Sequence, residues 1–345
     1  MKIEDFGMSK NSRTFIIAEL SANHNGDKQV AIDTIRAAKK AGADAIKLQT
    51  YTPDTITIDC ENEYFQIKEG LWEGKTLYEL YGEAYTPLEW QEELFEVAKK
   101  EGLICFSSPF DKTAVDFLEE LNTPAYKIAS FEIQDIPLIE YAASKGKPII
   151  MSTGIATEKD IKLAVDTCRK VGNKEIILLK CTSSYPAPIE LANLRTMVDM
   201  KQRFGVEVGL SDHTLGNTVP IVATSLGAKV IEKHFILDKS IGGPDVDFSL
   251  DLEEFTLMVK GVRKAEKALG EVQYNISEKV KSNKKFGRSL FAVKNIKKGE
   301  PFTRENVRSI RPGYGLHPKY YYKVIRKVAN IEIAKGTPLN WDLID

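Results

Sequence analysis

The sequence predicts a closed barrel of eight parallel strands alternating with helices, followed by a small second domain. Eight short β-branched, apolar runs recur between residues 14 and 235, helix-period segments separate them, and the stretch 287–345 breaks the repeat. The runs are "TFIIAEL" (14–20), "AIKLQT" (45–50), "ICFSSP" (104–109), "AYKIAS" (125–130), "PIIMST" (148–153), "IILLKCT" (176–182), "VEVGLSD" (206–212) and "KVIEKHF" (229–235). They are apolar nearly throughout, as parallel strands covered on both faces are. Between them, "DKQVAIDTIRAAKKAG" repeats Ala31, Ile35 and Ala38 at helical spacing and ends on Gly42, a residue suited to a helix stop. "TEKDIKLAVDTCRKVG" follows the same logic, with Thr157 as N-cap and Gly172 as terminator. Eight such units over roughly 250 residues match a TIM barrel in count and length. A doubly wound open sheet is the rival, but no GxGxxG follows the first strand.

Composition narrows the class of function. The chain of 345 residues is longer than one core usually supports. With 43% hydrophobic and 28% charged residues it reads as an ordinary globular protein. A formal net charge of −1 gives no overall attraction to nucleic acid or an anionic membrane. No apolar run approaches the ~18 residues of a membrane span, and "MKIEDFGMSKNSRTF" lacks a signal-peptide pattern. Cys60, Cys105, Cys168 and Cys181 form no CxxC pair, which suits a reducing compartment. The expectation is a cytosolic protein.

Two stretches depart from the repeat. Residues 51–86 lengthen the second strand–helix connection far beyond the usual few residues. Its interleaved aromatic and acidic residues suit a lid, a subunit contact or a packed surface excursion. After "LEEFTLMVKGVRKAEKALG", a polar stretch leads into short strands punctuated by "KKGE", "RPGYG" and "AKGTP". The predicted organisation is a barrel domain over 1–270, a linker over 271–286 and a compact domain over 287–345.

In a barrel of this kind the chemistry sits at the C-terminal ends of the strands. Those ends carry Glu19, Lys47, Gln49, Ser107, Ser108, Lys127, Ser130, Ser152, Thr153, Thr182, Ser183, Tyr185, Ser211, Asp212, His213, Lys233 and His234. A single strand-end lysine is usually a solvated one. Lysines and small hydroxyls on nearly every strand instead suit a small phosphorylated anion. His213 and His234 close strands seven and eight, and neighbouring strands lie about 4.8 Å apart. Two inward imidazoles there suit a divalent metal with open coordination, polar capping, or general acid–base work. His24 and His317 fall in loops and are not singled out by spacing.

Taken in order, "FIIAELSANHNGD", "AIKLQTYTPD", "FSSPFD", "YKIASFEI", "MSTGIA", "SDHT", "EKHFILDKSIGGPDVDFSLD" and "RPGYGLHP" resemble the sialic acid synthase family, the phosphoenolpyruvate-condensing nonulosonate synthases. The resemblance spans nearly the whole chain, and the C-terminal segment resembles the family's antifreeze-like (SAF) domain. It implies a barrel that binds phosphoenolpyruvate and a divalent metal, manganese first, with magnesium or cobalt as alternatives. By resemblance, the metal ligands are His213 and His234, and the catalytic carboxylate is Glu19. The phosphoenolpyruvate cradle is Lys47, Ser108, Lys127, Ser130, Ser152, Ser183 and Ser211, with Ser183 standing where the sialic acid branch has asparagine. Gln49, Phe110, Tyr185 and Asp245 match sugar-side residues. Arg311 matches an arginine that one subunit extends into its partner's barrel, which implies a homodimer with exchanged small domains.

Two departures from the sialic acid branch, "AELSANHNG" and "GGPDVDFSLD", resemble the pseudaminic acid branch. The implied sugar is then 2,4-diacetamido-2,4,6-trideoxy-L-altrose. The legionaminic and sialic acid branches are the nearest alternatives. From other classes, a Schiff-base aldolase using Lys127 or Lys47 would be trapped by borohydride. A glycan-binding module would release no phosphate.

Overall fold

The computed structural model describes residues 1–9 and 12–345, in two compact units, Met1–Gly270 and Glu271–Asp345. In the first unit eight parallel strands close into a barrel. They are β1 (Phe15–Glu19), β2 (Ala45–Thr50), β3 (Ile104–Pro109), β4 (Tyr126–Ile128), β5 (Ile149–Ser152), β6 (Ile176–Cys181), β7 (Glu207–Asp212) and β8 (Val230–His234). Closure comes from β8 pairing with both β7 and β1, the latter register running from Val230↔Phe15 to His234↔Glu19. The TIM barrel predicted from the repeat is the observed fold.

Helices α1 (Lys28–Ala41), α2 (Leu88–Lys100), α3 (Lys112–Glu120), α4 (Ile136–Ser144), α5 (Glu158–Lys170), α6 (Arg195–Phe204), α7 (Thr218–Ser225) and α8 (Leu252–Leu269) alternate with the strands. Asp27 caps the first turn of α1 through the Gln29 and Val30 amides, and Gly42 ends it at φ 93°, a left-handed conformation that glycine adopts without a Cβ penalty. Thr157 opens α5 in a capping box with Asp160. Outward-facing strand residues such as Ile16, Ile46, Met151 and Leu210 pack with Ile35, Leu118 and Met258 in the main core.

The lumen decides where the site lies. Its lower half is plugged by Phe15 and Ile17, Ala45, Phe106, Ile150, Ile177, Leu179 and Val230, all fully buried. Strand side chains alternate faces, so the lumen row continues upward two residues at a time. Above Ile17 stands Glu19, above Ala45 come Lys47 and Gln49, above Phe106 is Ser108, and above Ile150 is Ser152. Above Val230 come Glu232 and then His234. The plug leaves these polar groups as the floor and wall of a well that opens at the strand C-termini.

The fourth strand is shorter than the predicted 125–130 run. It stops at Ile128, and Ser130–Glu132 form a 3-10 turn. Within the long excursion, a one-turn helix (Pro53–Ile56) and a helix capped by Thr76 (Leu77–Ala84) form. The Trp72 indole donates to the Pro244 carbonyl at 3.2 Å, so the excursion packs across the barrel mouth.

In the second unit β9 (Ser289–Ala292) pairs antiparallel with β10 (Val307–Ile310). Its own core gathers Leu290, Ile296, Phe302, Val307, Val324, Ile333 and Leu339. Residues 271–288 are exposed throughout. Arg311 follows β10, is exposed, and precedes Pro312 through a cis peptide. No helix among the described residues is long and apolar enough to cross a membrane.

Candidate active site

At the floor of the well, two buried lysines stand between two buried carboxylates. Lys47 Nζ lies 2.5 Å from Glu19 Oε2 and 3.8 Å from Glu232 Oε2, and Lys127 Nζ lies 3.5 Å from Glu232 Oε1. Burial alone would neutralise Lys47, but Glu19 and Glu232 together hold its pKa above the ordinary lysine value. Lys127 has Glu232 at 3.5 Å and weaker attraction from Cys181 and Glu19. Burial therefore wins, reinforced by the Lys47 charge, and its pKa is lowered. Burial pushes Glu232 up, yet Lys127, Lys47 and the Ser211 hydroxyl outweigh it and keep the carboxylate ionised. The floor is thus a balanced set of two cations and two anions. A phosphate or carboxylate entering it has two ready cationic partners.

Hydroxyls ring this floor. Ser211 Oγ donates to Glu232 Oε1 at 2.9 Å, Ser130 Oγ accepts from the Gly154 amide at 3.1 Å, and Ser152 Oγ is buried without a partner. Ser108 Oγ accepts from Lys47 at 3.3 Å but does not line the cavity. Ser183 also stands behind the lining, with its hydroxyl packed over Gly154. A Cβ on Gly154 would fall 2.0 Å from Ser183 Oγ and 2.8 Å from Ser130 Oγ. Only glycine lets the loop after β5 approach these hydroxyls so closely.

Toward the mouth the surroundings change. Gln49 donates to Glu19 Oε1 at 3.0 Å and to Ser21 Oγ at 2.9 Å, which fixes the Glu19 carboxylate. Phe110 stacks edge-on against Tyr51 with centroids 5.0 Å apart. Tyr185 packs on His213 at 4.4 Å and on Phe248 at 5.0 Å. The excursion contributes Ile56, Trp72, Leu80, Tyr81 and Ala84 to the lining. The cavity therefore pairs an ionic floor with an aromatic and aliphatic rim.

The two histidine rings face each other with centroids 5.3 Å apart. His213 Nδ1 lies 3.0 Å from the Thr182 carbonyl. Its Nδ1–H donates there, which leaves Nε2 with a free lone pair. His234 Nδ1 is buried without a hydrogen-bond partner, 3.5 Å from Asp245 Oδ2. Among the described residues no group of three or more His, Cys, Asp or Glu is arranged as a metal cage. Two imidazoles fit a divalent ion whose other positions are left for water or substrate oxygens. Asp245 is held below the usual carboxylate range: burial raises it, but His234, Ser21 and the Ala22 amide outweigh that.

The carboxylates Glu232 and Glu132 line the cavity but escape the strand-end reading. Glu232 sits mid-strand, and its signal was its parity with His234 on the lumen row. Glu132 lies in the turn after β4, and strand patterning carries no signal for it. Its Oε2 is buried without a partner, and burial pushes its pKa up to about 7 against the pull of Lys127. Conversely, Asp212, Lys233 and Ser107 face away from the well. Ser107 pairs with Thr50 at 2.6 Å, and Lys233 with Asp212. Arg311 belongs to the second unit.

The profile of the NeuB family matches residues 34–274, and that of the SAF domain matches residues 287–345. The chain belongs to the NeuB family. It is 52% identical over 339 residues to a pseudaminic acid synthase of Campylobacter jejuni, covering 98% of each chain. It is 50% identical over 331 residues to the pseudaminic acid synthase of Helicobacter pylori, covering 96% of this chain and 97% of that one. Among solved structures, a spore coat polysaccharide biosynthesis protein of Bacillus subtilis superposes with a TM-score of 0.68 at 33% identity, covering 100% and 99%. The family resemblance and the SAF assignment drawn from the ordered motifs agree with these matches.

Proposed function

We propose that this NeuB-family chain is a pseudaminic acid synthase, condensing phosphoenolpyruvate with 2,4-diacetamido-2,4,6-trideoxy-L-altrose to give pseudaminic acid and phosphate. The observation that carries this is full-length identity of 50–52% to pseudaminic acid synthases, in a chain whose barrel builds a well with an ionic floor and an apolar rim.

In this reading Lys47 and Lys127 take the phosphate and carboxylate of phosphoenolpyruvate, with Ser130, Ser152 and Ser211 donating to the remaining oxygens. Ser108 and Ser183 support that cradle from behind. Such fixing of a reactant in near-attack geometry contributes several kcal/mol. Gln49, Phe110, Tyr185 and Asp245 orient the open-chain sugar so that its aldehyde carbon faces carbon 3 of phosphoenolpyruvate. Arg311 reaches the sugar from the second subunit of a homodimer with exchanged small domains.

His213 and His234 would hold the metal, with Mn2+ first and Mg2+ or Co2+ as alternatives; when bound, it supplies Lewis-acid polarisation of the aldehyde oxygen. As the new carbon–carbon bond forms, carbon 2 becomes cationic, and Glu19 accepts a proton from the water that adds there. Gln49 keeps that carboxylate aimed. Phosphate then leaves from carbon 2 with its bridging oxygen as the carbon 2 hydroxyl gives up its proton and closes to the ketone, and the former aldehyde oxygen takes up a proton to become a hydroxyl; the cleavage is C–O and not P–O.

The test supplies phosphoenolpyruvate, bridging-labelled with 18O, alongside each candidate sugar in turn. Pseudaminic acid from the L-altrose sugar, with the label in phosphate, is the expected result. Selective turnover of the legionaminic or sialic acid precursor would assign the chain to that branch instead.

A further inference from the structure

Two charged residues next to the histidines take no part in the well. Asp212 ends β7 and Lys233 is the penultimate residue of β8, and the two are register partners. Their neighbours Ser211, His213, Glu232 and His234 line the cavity, so strand alternation turns Asp212 and Lys233 to the opposite face. Lys233 is 0% exposed and Asp212 3%. Lys233 Nζ lies 2.5 Å from Asp212 Oδ2 and also donates to the Thr214 carbonyl. Asp212 Oδ1 accepts from the Thr214 amide at 3.0 Å and from its hydroxyl at 2.9 Å. The backbone on either side of His213 is therefore tied, through one ammonium group, to the residue preceding His234.

A buried ion pair is weak evidence for stability, because apolar side chains of similar volume often serve a core as well. What an apolar pair lacks is direction. Four hydrogen bonds converge here on three residues, and they fix the turn at Thr214 as well as the spacing of two strand ends. His213 is otherwise anchored through its ring Nδ1, 3.0 Å from the Thr182 carbonyl, and through its own carbonyl, which accepts from the Ala187 amide at 2.9 Å, and His234 through its carbonyl, which accepts from the Leu250 amide at 3.0 Å. On the lumen face the Ser211 hydroxyl donates to the ionised Glu232 carboxylate at 2.9 Å; on the outer face it is the Asp212–Lys233 pair that joins the two histidine-bearing strand ends with charge. Ligand side chains hold a metal only as well as their supports orient them.

We infer that the Asp212–Lys233–Thr214 cluster is a positioning clamp that sets the separation of the His213 and His234 rings for a shared divalent ion. This rests on the reading that these two imidazoles hold the metal. Asp212 and Lys233 touch neither substrate nor metal and act through the histidines.

The test is direct binding of Mn2+ alone, followed by the electron paramagnetic resonance of free ion. Asp212→Leu combined with Lys233→Met removes both charges while keeping the volume, so that no lone buried charge remains. We expect the barrel to stay folded and the Mn2+ dissociation constant to rise roughly 10–100-fold, the usual effect of losing a ligand's support. Val208→Ala, on the same outer face of β7 and buried, is the control. It should lower the unfolding temperature and leave Mn2+ affinity unchanged. If the double variant does not fold, Thr214→Val decides. It removes one hydroxyl bond and neither charge, and should weaken Mn2+ binding in the same direction by less.

A folded double variant with parental Mn2+ affinity overturns the clamp, as does an unchanged Thr214→Val should only that variant fold. His213→Ala and His234→Ala are measured alongside. If they too bind Mn2+ like the parent, the metal reading fails and the clamp with it. If they lose binding while the clamp variants keep it, only the clamp is wrong.

Discussion

Replacing Glu132 by glutamine should make the protein less sensitive to alkaline pH. The side chain lies in the turn after β4, is half-buried and lines the cavity, and its Oε2 is enclosed without a partner. Burial raises its pKa from 4.5 to about 7, with Asp135 adding to the rise and Lys127 and Lys47 opposing it. A carboxyl with a raised folded pKa contributes stability that is full below the unfolded value and is lost as pH climbs through the folded one. At ~1.4 kcal/mol per unit, a shift of this size costs the fold about 3 kcal/mol above pH ~8, of which about 2 kcal/mol is lost between pH ~5.5 and pH ~8. Glutamine keeps the shape and never ionises. Urea denaturation of both proteins at the two pH values yields a difference of differences, in which all other titrating groups cancel. The expected result is a variant that gains about 2 kcal/mol on the parent between pH ~5.5 and ~8. Parallel pH profiles for the two proteins would refute the reasoning and place Glu132 in a solvated or hydrogen-bonded setting.

Glu19→Gln should bind phosphoenolpyruvate, as seen by calorimetry, while turnover falls on the order of 100-fold or more for loss of a general base; near-normal turnover with weak binding would move Glu19 to the cradle. Gly154→Ala drives a methyl group into Ser183 and Ser130, so the KM for phosphoenolpyruvate should rise several-fold while the circular dichroism spectrum stays barrel-like. Arg311→Ala and Glu19→Gln proteins, each inactive, should regain partial activity once mixed and allowed to exchange subunits, because a mixed dimer with crossed small domains holds one intact site. Exchange verified by mass without any return of activity would mean that each small domain serves its own barrel.

Most of the barrel was legible because its strands are covered on both faces, so near-continuous apolar runs of six or seven residues stand out from helix-period segments. The polar ends of those runs pointed to Glu19, Lys47, Lys127, Ser152 and Ser211, which the structure brings into one cavity. What the pattern could not give was which way each strand-end side chain faces. Asp212 and Lys233 read as mouth residues, yet parity turns them outward. Glu232, hidden one step inside "VIEKH", is the carboxylate between both lysines. Glu132 was invisible for another reason. It sits in a 3-10 turn that replaces the last residues of the predicted fourth strand, and neither period nor capping marks such a position. The aliphatic rim came from a 36-residue excursion whose path over the mouth depends on tertiary contacts such as Trp72 with Pro244.

The apolar plug beneath the polar floor makes the well a blind shaft, with traffic in a single direction at a time. Whatever occupies Lys47 and Lys127 must arrive before anything that fills the rim between Trp72, Phe110 and Tyr185, and cannot leave while the rim is full. On the proposed assignment the anion loads first and the sugar second, and the nonulosonate, which spans both levels, withdraws before the next anion descends; dead-end inhibition patterns that show random or sugar-first binding would refute this order. On that assignment the shaft favours commitment, because a sugar seated at the rim holds phosphoenolpyruvate in place for reaction.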